Sequence, residues 1–163
     1  HALKDLPDGA TIAIAKDLAD EARGLKLLAD NGLLTLAPDF GALDGLEKIT
    51  SNPKHFKFQE IDDTTGGRVV KDPKIAAVLM SNSISQASGL NALKDALAYE
   101  HVNGHTRANI NILATATKNQ NNPTYRKLLT LYHDKASQAY IAAKYHGTKT
   151  EVNKPISYFK GEK

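Results

Sequence analysis

Thr11-Ile12-Ala13-Ile14-Ala15, then Asp17, then the run from Leu18 to Asn31 closed by Gly32, is the stretch on which the fold turns. Its first part is short, β-branched and apolar, and it is entered from the turn residues Leu6-Pro7-Asp8-Gly9, the form of a buried strand. Asp17 stands where a helix N-cap belongs, and Leu18, Ala22, Leu25 and Leu28 recur near one face of the helix that would follow. Gly32 offers the left-handed conformation that ends a helix at low cost. Strand, tight connection and helix open an α/β unit.

Downstream, the spacing predicts a short strand at Leu33 to Leu36, a short helix over Leu43 to Ser51 and a half-buried strand over Phe56 to Ile61. Asp62 or Asp63 is placed to cap a short helix reaching Arg68 to Val70. Ile75 to Met80 is the most hydrophobic run and predicts a central strand buried on both faces. A short helix at Ser83 to Ser88, a strand at Ala96 to Tyr99 and a strand at Asn109 to Thr117 follow. After the polar loop Lys118 to Pro123 come two helices, from about Thr124 to His133 and from about Lys135 to Tyr145, with Gly147 as the stop and a Lys-rich tail. Strands alternating with helices indicate a mixed, mostly parallel sheet with helices on both faces, whose ligands sit at the carboxyl ends of the strands.

The 163 residues contain no Cys, no Trp and one Met, with 21 Lys and Arg against 18 Asp and Glu. A chain of this length buries a real core, and without cysteine it has no disulfide, thiolate zinc site, iron–sulfur cluster or cysteine nucleophile. The net charge of +3 is a thin Lys surplus and gives no nucleic-acid footprint. No apolar run reaches the roughly 18–20 residues of a membrane span. The start at His1, with neither an initiator Met nor a signal peptide, reads as a piece cut from something longer.

Several groupings carry little chemistry. His101 and His105 flank the turn pair Asn103-Gly104, which opposes the helix that would align them on a metal. Thr64-Thr65-Gly66-Gly67-Arg68 lacks the Lys-Ser/Thr ending of a phosphate loop, Ser81, Ser83 and Ser85 lack a nucleophile-elbow context, and Glu60, Asp62 and Asp63 read as caps and solvated charge. No metal and no cofactor is expected. Two residues stand above this background. Arg23, just past the first strand, offers a planar fork for a carboxylate or phosphate, or else pairs on the surface with Asp20 or Glu21. Asn111 carries an amide able to accept from an ammonium and donate to a carboxylate at once, or else is an ordinary hydrogen-bonded strand residue.

The blocks Leu3 to Ile14, Asp17, Glu21 to Leu28, Asn31 to Leu36, Asn52 to Phe58, Gly67-Arg68, Ala76 to Leu79, Asn111 to Thr115 and Asn122-Pro123 resemble, in order and spacing, the NlpA family, the methionine-binding lipoproteins of bacterial ABC importers. The resemblance implies a periplasmic-binding-protein type II fold that closes two lobes around a free amino acid and performs no chemistry on it. It implies that Arg23 binds the ligand carboxylate and Asn111 the amino-acid backbone. Where relatives commonly read Pro-Asn-Asp-Pro, this chain has Ala15-Lys16-Asp17-Leu18; where they read Ile-Asn-Gly-Asn-Tyr, it has Met80-Ser81-Asn82-Ser83-Ile84. Lys16 and either Ser81 or Asn82 are therefore the further ligand-binding candidates, and another amino acid or a short peptide is an alternative to methionine. On this resemblance residues 1–109 form lobe two and residues 110–163 the returning C-terminal part of lobe one. An ABC permease is the partner, an N-terminal lipid anchor outside this chain holds the protein extracytoplasmically at the membrane, and the incomplete lobe favours self-association. A ligand-sensing regulator domain and an enzyme are the rival classes.

Overall fold

In a computed structural model, residues 2–103 and 106–159 are described. The chain divides into two compact units, His1–Tyr99 and Glu100–Lys163. In the first, a 3-10 turn at Leu3–Asp5 leads to β1 (Thr11–Ala15) and α1 (Leu18–Asp30). After these come β2 (Thr35–Leu36), β3 (Ile49–Ser51), β4 (Lys57–Ile61), α2 (Gly66–Val69), β5 (Ala77–Val78), α3 (Asn82–Ala87) and α4 (Ala92–Asp95).

β1 is the middle strand. It pairs in parallel with β4 on one side, Ile14 opposite Glu60, and with β5 on the other, Ala13 opposite Val78. Every residue from Ile12 to Ala15 is buried, as a strand flanked on both sides requires. Ile12 and Ile14 join Leu25 and Leu28 of α1 in the core, with Leu6, Leu33, Leu34 and Phe56 around them. Close packing of α1 onto the sheet depends on Gly24. A Cβ there would stand 3.0 Å from Leu79 Cδ1 and 3.5 Å from Ile14 Cδ1. The ends of α1 follow from its sequence. Asp17 accepts hydrogen bonds from the amides of Ala19 and Asp20. Gly32, at φ 73°, lets its own N–H reach the Ala29 carbonyl while Leu33 N–H reaches Leu28, a Schellman closure.

Four expectations are corrected. The run Ile75 to Met80 is not the central strand: only Ala77–Val78 forms β5, half-buried, because it pairs with β1 alone among the described residues. Leu43 to Ser51 is not one helix. A 3-10 turn at Leu46–Lys48 gives way to β3, where Ile49 and Ser51 pair antiparallel with Leu36 and Thr35 of β2. Ala96 to Tyr99 is not a strand, and neither is Asn109 to Thr117. Apart from a 3-10 turn at Arg107–Asn109 and another beginning at Thr117, that latter stretch has no regular structure, and Ile112 and Leu113 are exposed. Alternation proposes a strand, but only a partner's backbone makes one.

The second unit holds α5 (Pro123–Tyr132), α6 (Lys135–Lys144) and α7 (Ile156–Phe159). Asn122 and Asp134 cap α5 and α6 through their side chains, and Pro123 sits at the first turn of α5, where its missing N–H costs nothing. None of the three helices has a buried residue. His1 and the Gly104-His105 half of the histidine pair lie outside the described residues.

Among the described residues of the first unit, one ionisable side chain is buried. Glu21 on α1 is 3% exposed, and its Oε1 accepts the Leu46 N–H at 2.9 Å. Burial raises its carboxyl pKa, the Leu46 hydrogen bond opposes that, and the charges of Glu60 and Glu47 raise it further. A raised folded pKa means that the folded state binds more protons than the unfolded one as pH climbs above the ordinary value of 4.5, so this group's contribution to stability declines as pH rises through that window. Glu21→Gln keeps the acceptor for Leu46 and removes the charge. It is expected to raise the thermal midpoint at pH 7 by a few degrees and to have little effect near pH 4; a lower midpoint at pH 7 would make the ionised carboxylate a net stabiliser.

Candidate functional site

Parallel pairing brings the carboxyl ends of β4, β1 and β5 to one edge of the sheet, and the residues just past those ends make the site. Lys16 follows β1; its N–H donates to Ile61 O at 2.8 Å, and its exposed ammonium stands 3.7 Å from Asp62 Oδ2. Asp62 follows β4 and accepts from the Thr64 amide at 3.1 Å and hydroxyl at 2.6 Å. Those two bonds to Thr64 are the main reason its carboxyl is held below the usual range, with the Lys16 charge adding to them.

Asp63 reaches the third strand end. Its carboxylate accepts from the Ser81 hydroxyl at 3.0 Å and, at 3.4 Å, from the Ser81 amide. Ser81 is the N-cap of α3, its Oγ accepting from Ile84 N–H. Asn82 begins the helix, and its Oδ1 is buried without a hydrogen-bond partner among the described residues. A buried carbonyl oxygen left unpaired carries a desolvation cost of about 1–3 kcal/mol, so this atom is poised for a donor.

Asp20 and Arg23 lie on α1, where Arg23 is exposed. The Asp20 carboxyl is raised first by burial, then by the charges of Asp63 and Asp17, and is lowered in part by the Arg23 guanidinium. Asp20 thus shares a field with Asp63 of the β4 edge and with Arg23. Capping by Asp17, together with Asp20 and Glu21 in the first turn, already occupies the positive pole of α1. An incoming carboxylate would therefore depend on Arg23 and Lys16 rather than on the helix dipole.

The structure places Lys16, Ser81 and Asn82 at this edge, with Arg23 nearby on α1. Asn111 belongs to the second unit, exposed in its irregular segment. Asp63 is the residue that reading the sequence undervalues. Side by side with Asp62 it looks like a second cap, and only the pairing of β4 and β5 on opposite sides of β1 shows that it spans to Ser81. Among the described residues no group of three or more His, Asp and Glu side chains could hold a metal ion, and no helix is long and apolar enough to cross a membrane.

A family model described as NlpA lipoprotein matches residues 1–153. "Methionine-binding lipoprotein MetQ" of Bacillus subtilis is 30% identical over 152 residues, covering 93% of this chain and 55% of its own length. "Lipoprotein 28" of Escherichia coli is 32% identical over 127 residues, covering 78% of this chain and 46% of its own length. Among solved structures, protein PG110 from Staphylococcus aureus superposes with a TM-score of 0.85 at 31% identity, over 98% of this chain and 62% of that one. A nutrient binding protein from Burkholderia cenocepacia bound to methionine superposes with a TM-score of 0.72 at 27% identity, over 90% of this chain and 60% of that one. The chain spans about half the length of the curated relatives it matches.

Proposed function

The chain belongs to the NlpA lipoprotein family, and on that premise we propose that it is part of an extracytoplasmic substrate-binding protein that takes up a free amino acid, methionine, and delivers it to an ABC permease. The observation that carries this reading is the convergence of Lys16, Asp63, Ser81 and the unpaired Asn82 Oδ1 at the carboxyl edge of a parallel sheet, in a chain whose fold matches a relative solved with methionine bound.

In the proposed roles, Arg23 takes the ligand carboxylate, with the Lys16 charge adding attraction. Asn82 Oδ1 and the Asp63 carboxylate accept from the ammonium, and Ser81 fixes Asp63 in position. Asn111 pairs with the amino-acid backbone through its amide. The protein binds and releases its ligand unchanged; it is not an enzyme. A lipid anchor outside this chain holds it at the membrane.

The acidic cast of the edge favours a second reading. Asp62 and Asp63 stand at it and Asp20 lies within the field of Asp63, whereas a thioether gains most from apolar surroundings; a basic amino acid or a short peptide with a free ammonium fits those carboxylates better. Thermal unfolding of the whole protein against methionine, lysine, arginine and short peptides separates the readings. Methionine at a hundred times its Kd is expected to add about 2.7 kcal/mol to stability and raise the midpoint. A shift with lysine or arginine alone would move the assignment to the second reading, and no shift with any of them would overturn the importer role.

A further inference from the structure

The surplus of positive charge is not spread evenly. The sequence of the second unit, Glu100–Lys163, carries ten Lys and Arg against four acids, one of which, Asp134, is taken up in capping α6. Residues 1–99 carry 14 acids against 11 Lys and Arg, so the basic character of the whole chain resides in the second unit.

There the cations are arranged against tyrosines. Lys144 Nζ lies 5.3 Å from the Tyr140 ring centre and 6.0 Å from that of Tyr145, and it donates to the Tyr140 hydroxyl at 3.0 Å. Lys149 Nζ lies 4.1 Å over Tyr145. Two ammonium groups and two phenol rings thus lie together around the end of α6, and the acids that bracket this stretch in sequence are engaged elsewhere, Asp134 in capping α6 and Glu151 against His133. Arg107 and Lys154 flank the Tyr158 ring in the same unit at 6.0 and 5.6 Å. Tyr140 is 61% exposed, and Leu128, Leu129 and Tyr132 of α5 are exposed as well.

Lysines seated on tyrosine rings match a surface that is anionic outside and apolar beneath: the ammonium groups meet phosphates while rings and alkyl stems enter the headgroup layer. We propose that the Tyr140-Lys144-Tyr145-Lys149 surface docks on anionic phospholipid headgroups and lays the second unit against a membrane. A nucleic acid is the less suited polyanion, since the cluster presents point charges on rings already covered by lysines and no arginine fork.

The test is co-sedimentation of this chain with phosphatidylcholine vesicles containing either no phosphatidylglycerol or 30% of it, at low salt and at about 0.5 M salt. Binding is expected to the anionic vesicles alone and to be lost at high salt. Lys144→Ala with Lys149→Ala is expected to weaken it roughly 30-fold. Both lysines are exposed, so circular dichroism should be unchanged in the double variant, which excludes unfolding as the cause. Equal binding to neutral vesicles, no binding at low salt, binding indifferent to the two lysines, or displacement from vesicles by a single-stranded oligonucleotide at equal charge would each overturn the proposal.

Discussion

Arg23→Ala in the whole protein is expected to weaken amino-acid binding by about 10- to 150-fold, the loss that follows when a charged hydrogen-bonding partner is removed from a desolvated carboxylate. The side chain is exposed on α1, where a surface interaction contributes about 0–1 kcal/mol, so the thermal midpoint of the unliganded protein should move by a few degrees at most while the main loss appears in calorimetric affinity. Arg23→Lys should recover only part of it, because an ammonium keeps the charge and loses the planar fork that matches two carboxylate oxygens. The Asp20 carboxyl provides an internal control. Its pKa is already raised by burial and by the Asp63 and Asp17 charges, and removing the Arg23 cation that opposes them raises it further. Unchanged affinity in Arg23→Ala would assign Arg23 to the surface pair with Asp20 and leave the ligand carboxylate to Lys16.

Leu25→Ala carries the largest expected effect on stability. Leu25 is 0% exposed and packs in the cluster that joins α1 to Ile12 and Ile14 of β1. Truncation removes buried methyl groups and leaves a cavity that a close-packed helix cannot collapse, at a cost of about 3–5 kcal/mol. At about 4–8 °C per kcal/mol for a unit of this size, the midpoint should fall by roughly 15 °C or more. Leu128→Ala on α5 is the matched control: the same atoms are removed from a residue 43% exposed, and the expected change is within about 0.5 kcal/mol. A loss under about 1 kcal/mol at Leu25 would mean that α1 does not seal the core.

Local chemistry was legible wherever the signal is written into adjacent residues. The Asp17 cap and the Gly32 closure depend on contacts two to five residues long and read directly from their neighbours, and the two later helices begin within a residue of where the spacing predicts them, at Pro123 and Lys135. β1 was legible because Ile and Ala alternate in a run short enough for a buried strand. The misread strands failed for a common reason. Ile75 to Met80, Ala96 to Tyr99 and Asn109 to Thr117 are apolar or alternating, but strand formation is a property of two backbones, and composition does not say whether a second one lies alongside.

For the site the division is similar. Lys16, Arg23, Ser81, Asn82 and Asn111 are legible from residue type, from the position of the first strand and from family pattern. Their partners are not. That Asp62 belongs with Lys16 and Asp63 with Ser81 follows from β1 lying between β4 and β5, an order that inverts the chain sequence. By itself, then, the sequence determined the α/β character, the strand and helix that open the first unit with that helix's cap and stop, and the family. Tertiary structure alone decided which strand is central, which carboxylate reaches which hydroxyl, and that the Asn82 oxygen is buried without a partner among the described residues. The physical reason is range: capping and periodicity act within one or two helical turns, whereas strand order and buried polar pairing join residues some 20 to 60 positions apart through contacts that exist only once the core has closed.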